Sequence, residues 1–173
     1  TLLNMLVRFK KRQDHLPLKS LVVSGECLAP SIALRLCKAF PCTNIYHVYG
    51  LTEACPRVCY LPPQLFKEHP EYIGVPLNSV LVEIRDADNN VLPNGNEGIL
   101  WVKGNNIMIG YYNAPDHTDR VLKNGWLCTG DIAVKNDLGL IKVLGRSDDL
   151  IICAGINIYP AEIEAILMKH EAV

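Results

Sequence analysis

Four short segments concentrate the residue types that handle nucleotides. Ser24-Gly25-Glu26-Cys27 follows an apolar run, and a glycine there lets a planar ligand lie against the backbone. In His47-Val48-Tyr49-Gly50-Leu51-Thr52-Glu53, the Thr52 hydroxyl can donate to a phosphate oxygen. The Glu53 carboxylate can hold a hard cation such as magnesium. Trp126-Leu127-Cys128-Thr129-Gly130-Asp131 ends on a carboxylate at what reads as a tight turn, able to accept two hydrogen bonds from a ribose diol. Gly145-Arg146-Ser147-Asp148-Asp149 offers a guanidinium fork for phosphate or ribose. Each segment also has a plain structural reading: a turn glycine, Thr52 as a helix cap, an ordinary turn aspartate, and Arg146 paired with a neighbouring carboxylate.

Such groups act only if the fold brings them together. Leu21-Val22-Val23 reads as a strand buried on both faces. Thr1 to Arg12 reads as a helix ended by Leu16-Pro17. Pro30 opens the next helix, whose Ala33, Leu36, Cys37 and Phe40 share one face at i, i+3, i+4 and i+7, and Pro41 stops it. Asn44 to Tyr49 is a further strand, so the beginning reads as a parallel α/β layer. In such a layer ligands bind beyond the carboxyl ends of the strands, where the first two segments lie.

From Gly74 the texture changes. Val80 to Arg85, Gly98 to Lys103, Trp126 to Thr129 and Leu140 to Leu144 read as short strands. The turn clusters Asp86-Ala-Asp-Asn-Asn and Pro93-Asn94-Gly95 interrupt them, which suggests a small antiparallel barrel or sandwich. Pro160 opens a last helix with Glu162 in its first turn and Ile163, Ile166 and Leu167 as its apolar stripe.

Composition narrows the classes. The chain has 173 residues, 49% hydrophobic and 20% charged, with 17 Lys+Arg against 18 Asp+Glu. That is a globular balance, and it argues against binding a nucleic-acid backbone. No apolar run reaches membrane-spanning length. The seven cysteines form no CxxC pair, so they read as scattered reduced thiols of a cytoplasmic protein, and no structural metal is expected.

Taken in order, the four segments resemble the adenylate-forming, AMP-binding enzymes: acyl- and aryl-CoA synthetases, peptide-synthetase adenylation domains and luciferases. The resemblance extends through Gly98-Ile-Leu-Trp-Val-Lys-Gly104 and Gly110-Tyr-Tyr-Asn-Ala-Pro115. The ending Asn157-Ile-Tyr-Pro-Ala-Glu-Ile-Glu164 is similar to the CoA-ligase branch. It implies the end of the parallel α/β part of a large domain over residues 1–73 and a small distorted β-barrel subdomain over 74–147. A hinge and the start of an α+β C-terminal domain would follow over 148–173.

The resemblance further implies a reaction. ATP and Mg²⁺ convert a small-molecule carboxylic acid into an acyl-AMP, and a thiol, CoA or a carrier protein, then displaces AMP. Gly25, Glu26, Cys27, Val48 and Tyr49 would line the adenine, with His47 and Gly50 beside them. Thr52 would touch phosphate, Glu53 would hold magnesium, Asp131 and Arg146 would bind ribose, and Val143 would pack near the nucleotide. Thr52, Glu53 and Arg146 would carry the catalysis. Asp148 would be the hinge and Gly155 would border the thiol channel.

Three positions depart from the pattern. His47 stands where the peptide-synthetase branch often has Asn, Ala154 where CoA ligases often have a second Gly, and Asn157 where some relatives carry an arginine. The family's Ser/Thr/Gly-rich phosphate loop has no match in Thr1 to Ser20, and Lys169 is not assigned the role of the small domain's lysine. The chain therefore reads as a slice of a ligase, inactive alone. The alternatives are a slice of a peptide-synthetase adenylation domain and a non-catalytic nucleotide-binding remnant.

Overall fold

The computed structural model describes residues 5–7, 18–25, 28–153, 155–167 and 170. Of the expected first helix only residues 5–7 fall among these, and they are helical. The break at Leu16-Pro17, and Glu26, Cys27, Ala154 and Lys169, lie outside the described residues.

Helix α1 (Pro30–Ala39) begins as its sequence dictates, with Pro30 in the first turn, where no amide is needed. Its Ala33 and Leu36, with Phe40 just beyond, are buried against Val23, Ile45, Leu61, Phe66 and Leu140. The strands it covers are β1 (Ser20–Val23), β2 (Asn44–Tyr49), β3 (Cys59–Leu61) and β4 (Val75–Pro76), in that order across one sheet. Phe66 comes from the one-turn helix α2 (Pro63–Phe66).

The expected parallel pairing of β1 with β2 is present. Two strands that the sequence reading did not include, β3 and β4, extend the sheet antiparallel. The connection from β2 to β3 is too short for a crossover helix, so β3 must return alongside. One expectation fails: β1 is not buried on both faces, since Val23 is enclosed but Val22 is 47% exposed. β1 is the edge strand, and α1 packs on the Val23 face alone. What survives is the feature that matters for ligand binding. Val23 pairs with His47, so the turns after β1 and β2 leave the sheet at the same edge.

Strands β5 (Val80–Arg85), β6 (Glu97–Gly104), β7 (Leu122–Lys123), β8 (Trp126–Lys135) and β9 (Ile141–Arg146) form an antiparallel sheet curled into a half-barrel. Helix α3 (Pro115–Val121) leads into β7. The Asp86 turn forms as its residues require, Asp86 Oδ1 accepting from the amides of Asp88 at 2.9 Å and Asn90 at 2.8 Å. β8 is longer than its sequence suggests. Gly130 and Asp131 are not a tight turn but the middle of this strand, where Gly130 takes φ +74° and the pairing with β6 jumps from Trp101–Cys128 to Ile99–Ile132. A positive-φ glycine inside a strand marks a bulge, which re-aims neighbouring side chains.

The two parts share one core. Ala54, Val58, Cys59 and Ile73 of the first pack with Val80, Ile84, Leu100, Val102, Leu127, Ala133 and Ile141 of the second. At the junction Ile73 N donates to Ile141 O and Ile141 N to Gly74 O, both at 2.8 Å. Gly74 sits at φ +84°, and a Cβ there would fall 1.9 Å from Tyr60 O, so only glycine fits. The half-barrel also packs against the turn at residues 52–54, whose Ala54 lies in this shared core.

After β9 come a hairpin, β10 (Ile151–Cys153) with β11 (Ile156–Ile158), and helix α4 (Pro160–Leu167). The apolar stripe of α4 is present, but Ile163, Ile166 and Leu167 are all exposed. This segment is held to the half-barrel at Tyr159, whose ring lies against Gly145 and whose hydroxyl donates to Glu97 Oε2 at 2.7 Å. Burial first, and Glu97 second, push the Tyr159 phenol up to about 12. A raised phenol stabilises the fold below the unfolded value near 10, and that contribution is lost as the pH rises towards 12. In the full chain, the urea midpoint of Tyr159→Phe should lie below that of the parent. The gap should stay constant up to pH 10 and shrink between 10 and 12, and a gap that ignored pH would contradict the assignment.

Candidate functional site

Three residues predicted from separate segments meet at the rim of the half-barrel. The Tyr49 hydroxyl, at the end of β2, donates to Asp131 Oδ2. Arg146 lies opposite Asp131 in the β8–β9 ladder, and its Nη1 reaches Asp131 Oδ1 at 3.2 Å and Thr129 O at 3.0 Å. Thr129 completes the frame: its Oγ1 donates to Leu100 O at 2.9 Å and accepts from the Asp131 amide at 3.1 Å. The bulge at Gly130 lets this happen, since a Cβ there would press on the Arg146 guanidinium at 3.3 Å.

Charge and solvent are distributed unevenly over this cluster. The Asp131 side chain is 9% exposed and that of Arg146 51%. Burial, then the Asp131 charge, raise the Tyr49 phenol well above its usual range, so it stays protonated and donates. A carboxylate has about four lone-pair positions, of which these bonds use two, leaving acceptors for a diol. Arg146 keeps further N–H groups at the exposed side.

The second cluster is the turn at residues 52–54, a single 3₁₀ turn. Thr52 is not its cap; that position belongs to Leu51, and no side chain caps it. Thr52 is exposed instead. Glu53 is half-buried, and Tyr111 Oη donates to its Oε1 at 2.6 Å. The backbone of this turn is clasped twice more, by Met108 N to Glu53 O at 2.8 Å and Asn106 Nδ2 to Ala54 O at 2.7 Å. The bond to Glu53 raises the Tyr111 phenol, and the Arg146 charge partly counters that, so the two clusters lie within electrostatic reach.

One carboxylate with an oxygen left over suits magnesium, which takes one or two carboxylates and keeps waters and phosphates for the rest. Among the described residues, Tyr111 is the only side chain bonded to the Glu53 carboxylate. Glu53 therefore fits the metal role, and Asp131 with Arg146 fit a ribose.

Other predicted residues lie elsewhere. His47 is 3% exposed, and its ring Nδ1 meets Tyr72 O at 3.0 Å, tying β2 to the segment before Gly74. Gly50 has a packing reason to be glycine, since a Cβ would fall 2.3 Å from the Pro56 carbonyl. Val48 is buried on the face of β2 opposite Tyr49, and Val143 packs against the shared core. Gly25 is exposed in the turn after β1 at φ +99°. Asp148 and Gly155 are exposed after β9 and between β10 and β11, and neither bonds to the two clusters. Sequence reasoning gave no role to Thr129 or Tyr111, although Tyr111 falls in the Gly110-Tyr-Tyr stretch.

A fold of this kind, with a phenol, carboxylate and guanidinium gathered beside an acidic turn, has close counterparts. Residues 1–112 match the family model of the AMP-binding enzymes, and the chain belongs to that family. It is 44% identical over 125 residues to the long-chain-fatty-acid–CoA ligase of Escherichia coli O6:H1, covering 72% of this chain and 22% of that protein. o-Succinylbenzoate CoA synthetase from Bacillus subtilis, solved in complex with the acyl-adenylate intermediate OSB-AMP, superposes with a TM-score of 0.90 at 32% identity, covering 99% of this chain and 34% of that one. The same synthetase in complex with ATP and magnesium ion gives a TM-score of 0.89 at 32% identity, covering 99% and 35%. The chain thus spans between a fifth and about a third of the proteins it matches.

Proposed function

We propose that the protein carrying this segment is an AMP-forming acid–thiol ligase, which activates a carboxylic acid as its acyl-AMP and passes the acyl group to CoA. The observation that carries the reading is that the Tyr49–Asp131–Arg146 cluster lies within electrostatic reach of the Glu53 turn, on two parts that share one core. It is supported by the likeness to a long-chain-fatty-acid–CoA ligase and to o-succinylbenzoate CoA synthetase, the latter solved with its acyl-adenylate and with ATP and magnesium.

Asp131 accepts the ribose hydroxyls on its free lone pairs, while Tyr49 fixes its orientation by donating to Oδ2. Arg146 neutralises Asp131 and presents its remaining N–H groups to the ribose and α-phosphate side. Thr52, exposed at the start of the turn, donates its hydroxyl to a phosphate oxygen. Gly25, Glu26 and Cys27 with Val48, Tyr49 and Gly50 line the base through backbone, His47 bracing the strand beneath them. Val143 packs under the nucleotide from the core side. Glu53 would hold Mg²⁺, which, when bound, neutralises phosphate charge as a Lewis acid. Asp148 would be the pivot of the segment that follows it, and Gly155 the edge of the thiol's path. The cytoplasm, where ATP and CoA are both plentiful, is the compartment this reading implies.

The test is to supply the full chain with ATP, Mg²⁺, a panel of fatty and aromatic acids, and either CoA or a phosphopantetheinyl carrier protein. A CoA thioester with stoichiometric AMP is expected. Acylation of the carrier protein alone would instead favour the peptide-synthetase reading, and nucleotide binding without either product a non-catalytic role.

A further inference from the structure

Tyr111 belongs to the half-barrel, 58 residues beyond Glu53, yet its hydroxyl reaches that carboxylate from a backbone pinned on both sides. Before it, Met108 N and Asn106 Nδ2 hold the carbonyls of Glu53 and Ala54. After it, the Tyr111 amide donates to Thr118 Oγ1 at 2.9 Å, and that hydroxyl donates on to Ala114 O at 3.1 Å, in the first turn of α3. Gly110 packs so closely on Thr118 that a Cβ would stand 3.0 Å from it. The phenol is thus placed by hydrogen bonds along its own segment rather than by core packing, since Tyr111 itself is 38% exposed.

We propose that Tyr111 is a positioning residue for the cation site: by donating to Oε1 it fixes the Glu53 carboxylate so that Oε2 is presented to the divalent cation and the phosphates. This rests on the reading of Glu53 given above. A half-exposed glutamate otherwise samples several rotamers, and ordering it at the moment of binding costs affinity. Hydrogen bonds that orient a metal's carboxylate tune affinity in this way. Here the donor comes from the half-barrel and the ligand from the α/β part, so the bond also makes cation affinity depend on how the two parts are seated.

The test uses the full chain and Mn²⁺ as the probe, with free Mn²⁺ counted by electron paramagnetic resonance at a saturating non-hydrolysable ATP analogue. Tyr111→Phe removes only the hydroxyl. The Mn²⁺ dissociation constant is expected to rise about three- to tenfold, the range set by losing one hydrogen bond to a charged group that water can partly replace. Affinity for the analogue without metal should be unchanged. Thr118→Val, which frees the Tyr111 amide, should shift the Mn²⁺ constant in the same direction by less. Glu53→Gln is the control and should raise it more than tenfold. An unchanged constant in Tyr111→Phe with a raised one in Glu53→Gln would overturn the proposal and leave the Glu53 reading standing. An unchanged constant in both would remove the Glu53 reading itself. A loss of thermal stability in Tyr111→Phe without any change in the Mn²⁺ constant would make the bond a mere clasp, and would also overturn the proposal.

Discussion

Glu53→Gln is expected to lower acid activation by the full chain about 10²- to 10³-fold, with little effect on nucleotide affinity measured without metal. The effect is electrostatic. Phosphoryl chemistry gathers negative charge at the reacting centre, and removing one positioned charge-stabilising group costs on the order of 2.7–4 kcal/mol. Glutamine keeps the size and can still accept from Tyr111 Oη, so the turn clasped at Glu53 O and Ala54 O stays folded. What it loses is the negative charge that, on the proposed reading, draws the cation. Initial rates of acid-dependent AMP formation, taken over a range of Mg²⁺, measure this. A variant restored to full rate by excess Mg²⁺ would indicate a weakened ligand rather than a lost one, and a variant unaffected at any Mg²⁺ would contradict the assignment.

Asp131→Ala has the second large effect, and it falls on binding and on folding together. Loss of the ribose contact should weaken AMP or ATP binding by about 1.5–3 kcal/mol, roughly 10- to 150-fold, the range for a hydrogen bond to a charged group. The same substitution strips the acceptor from the Tyr49 hydroxyl, which is drawn up by burial and cannot shed its proton instead. A buried donor left unsatisfied costs about 1–3 kcal/mol. Arg146 suffers less, because its side chain is 51% exposed and keeps Thr129 O. Asp131→Asn separates the two effects. Its amide oxygen still accepts from Tyr49, so stability should largely return while nucleotide affinity stays low. Calorimetric titration with AMP, beside urea unfolding, reads both.

The helix α1 and the alternating strand β5 were legible because their burial follows a fixed period, and Leu36 and Ile84 are indeed enclosed. The edge exposure of Val22 was not, since a run of apolar residues says nothing about what covers each face. Gly130 misled for a physical reason: a left-handed glycine before an aspartate is the mark of a turn, and the same conformation serves a bulge in mid-strand. The alternative reading of Thr52 as a helix cap fails, because hydroxyl residues prefer that position, yet here Leu51 occupies it and leaves the threonine exposed. At the site, the individual segments were ambiguous and only their order made them read as one. The contacts that unite them, Tyr49 to Asp131 and Tyr111 to Glu53, join residues 82 and 58 apart, which no local pattern encodes. His47 belonged to the right strand, but its face turns it inward to Tyr72.

The measurement that bears most directly on the account is exchange of labelled pyrophosphate into ATP by the full chain, with and without added carboxylic acids. Exchange requires reversible formation of an acyl-AMP and nothing from the thiol step. Label should enter ATP only when a suitable acid is present, and should fall sharply in Glu53→Gln. Tight ATP binding with no exchange across long-chain, aromatic and short acids, or exchange that ignores Glu53, would contradict it.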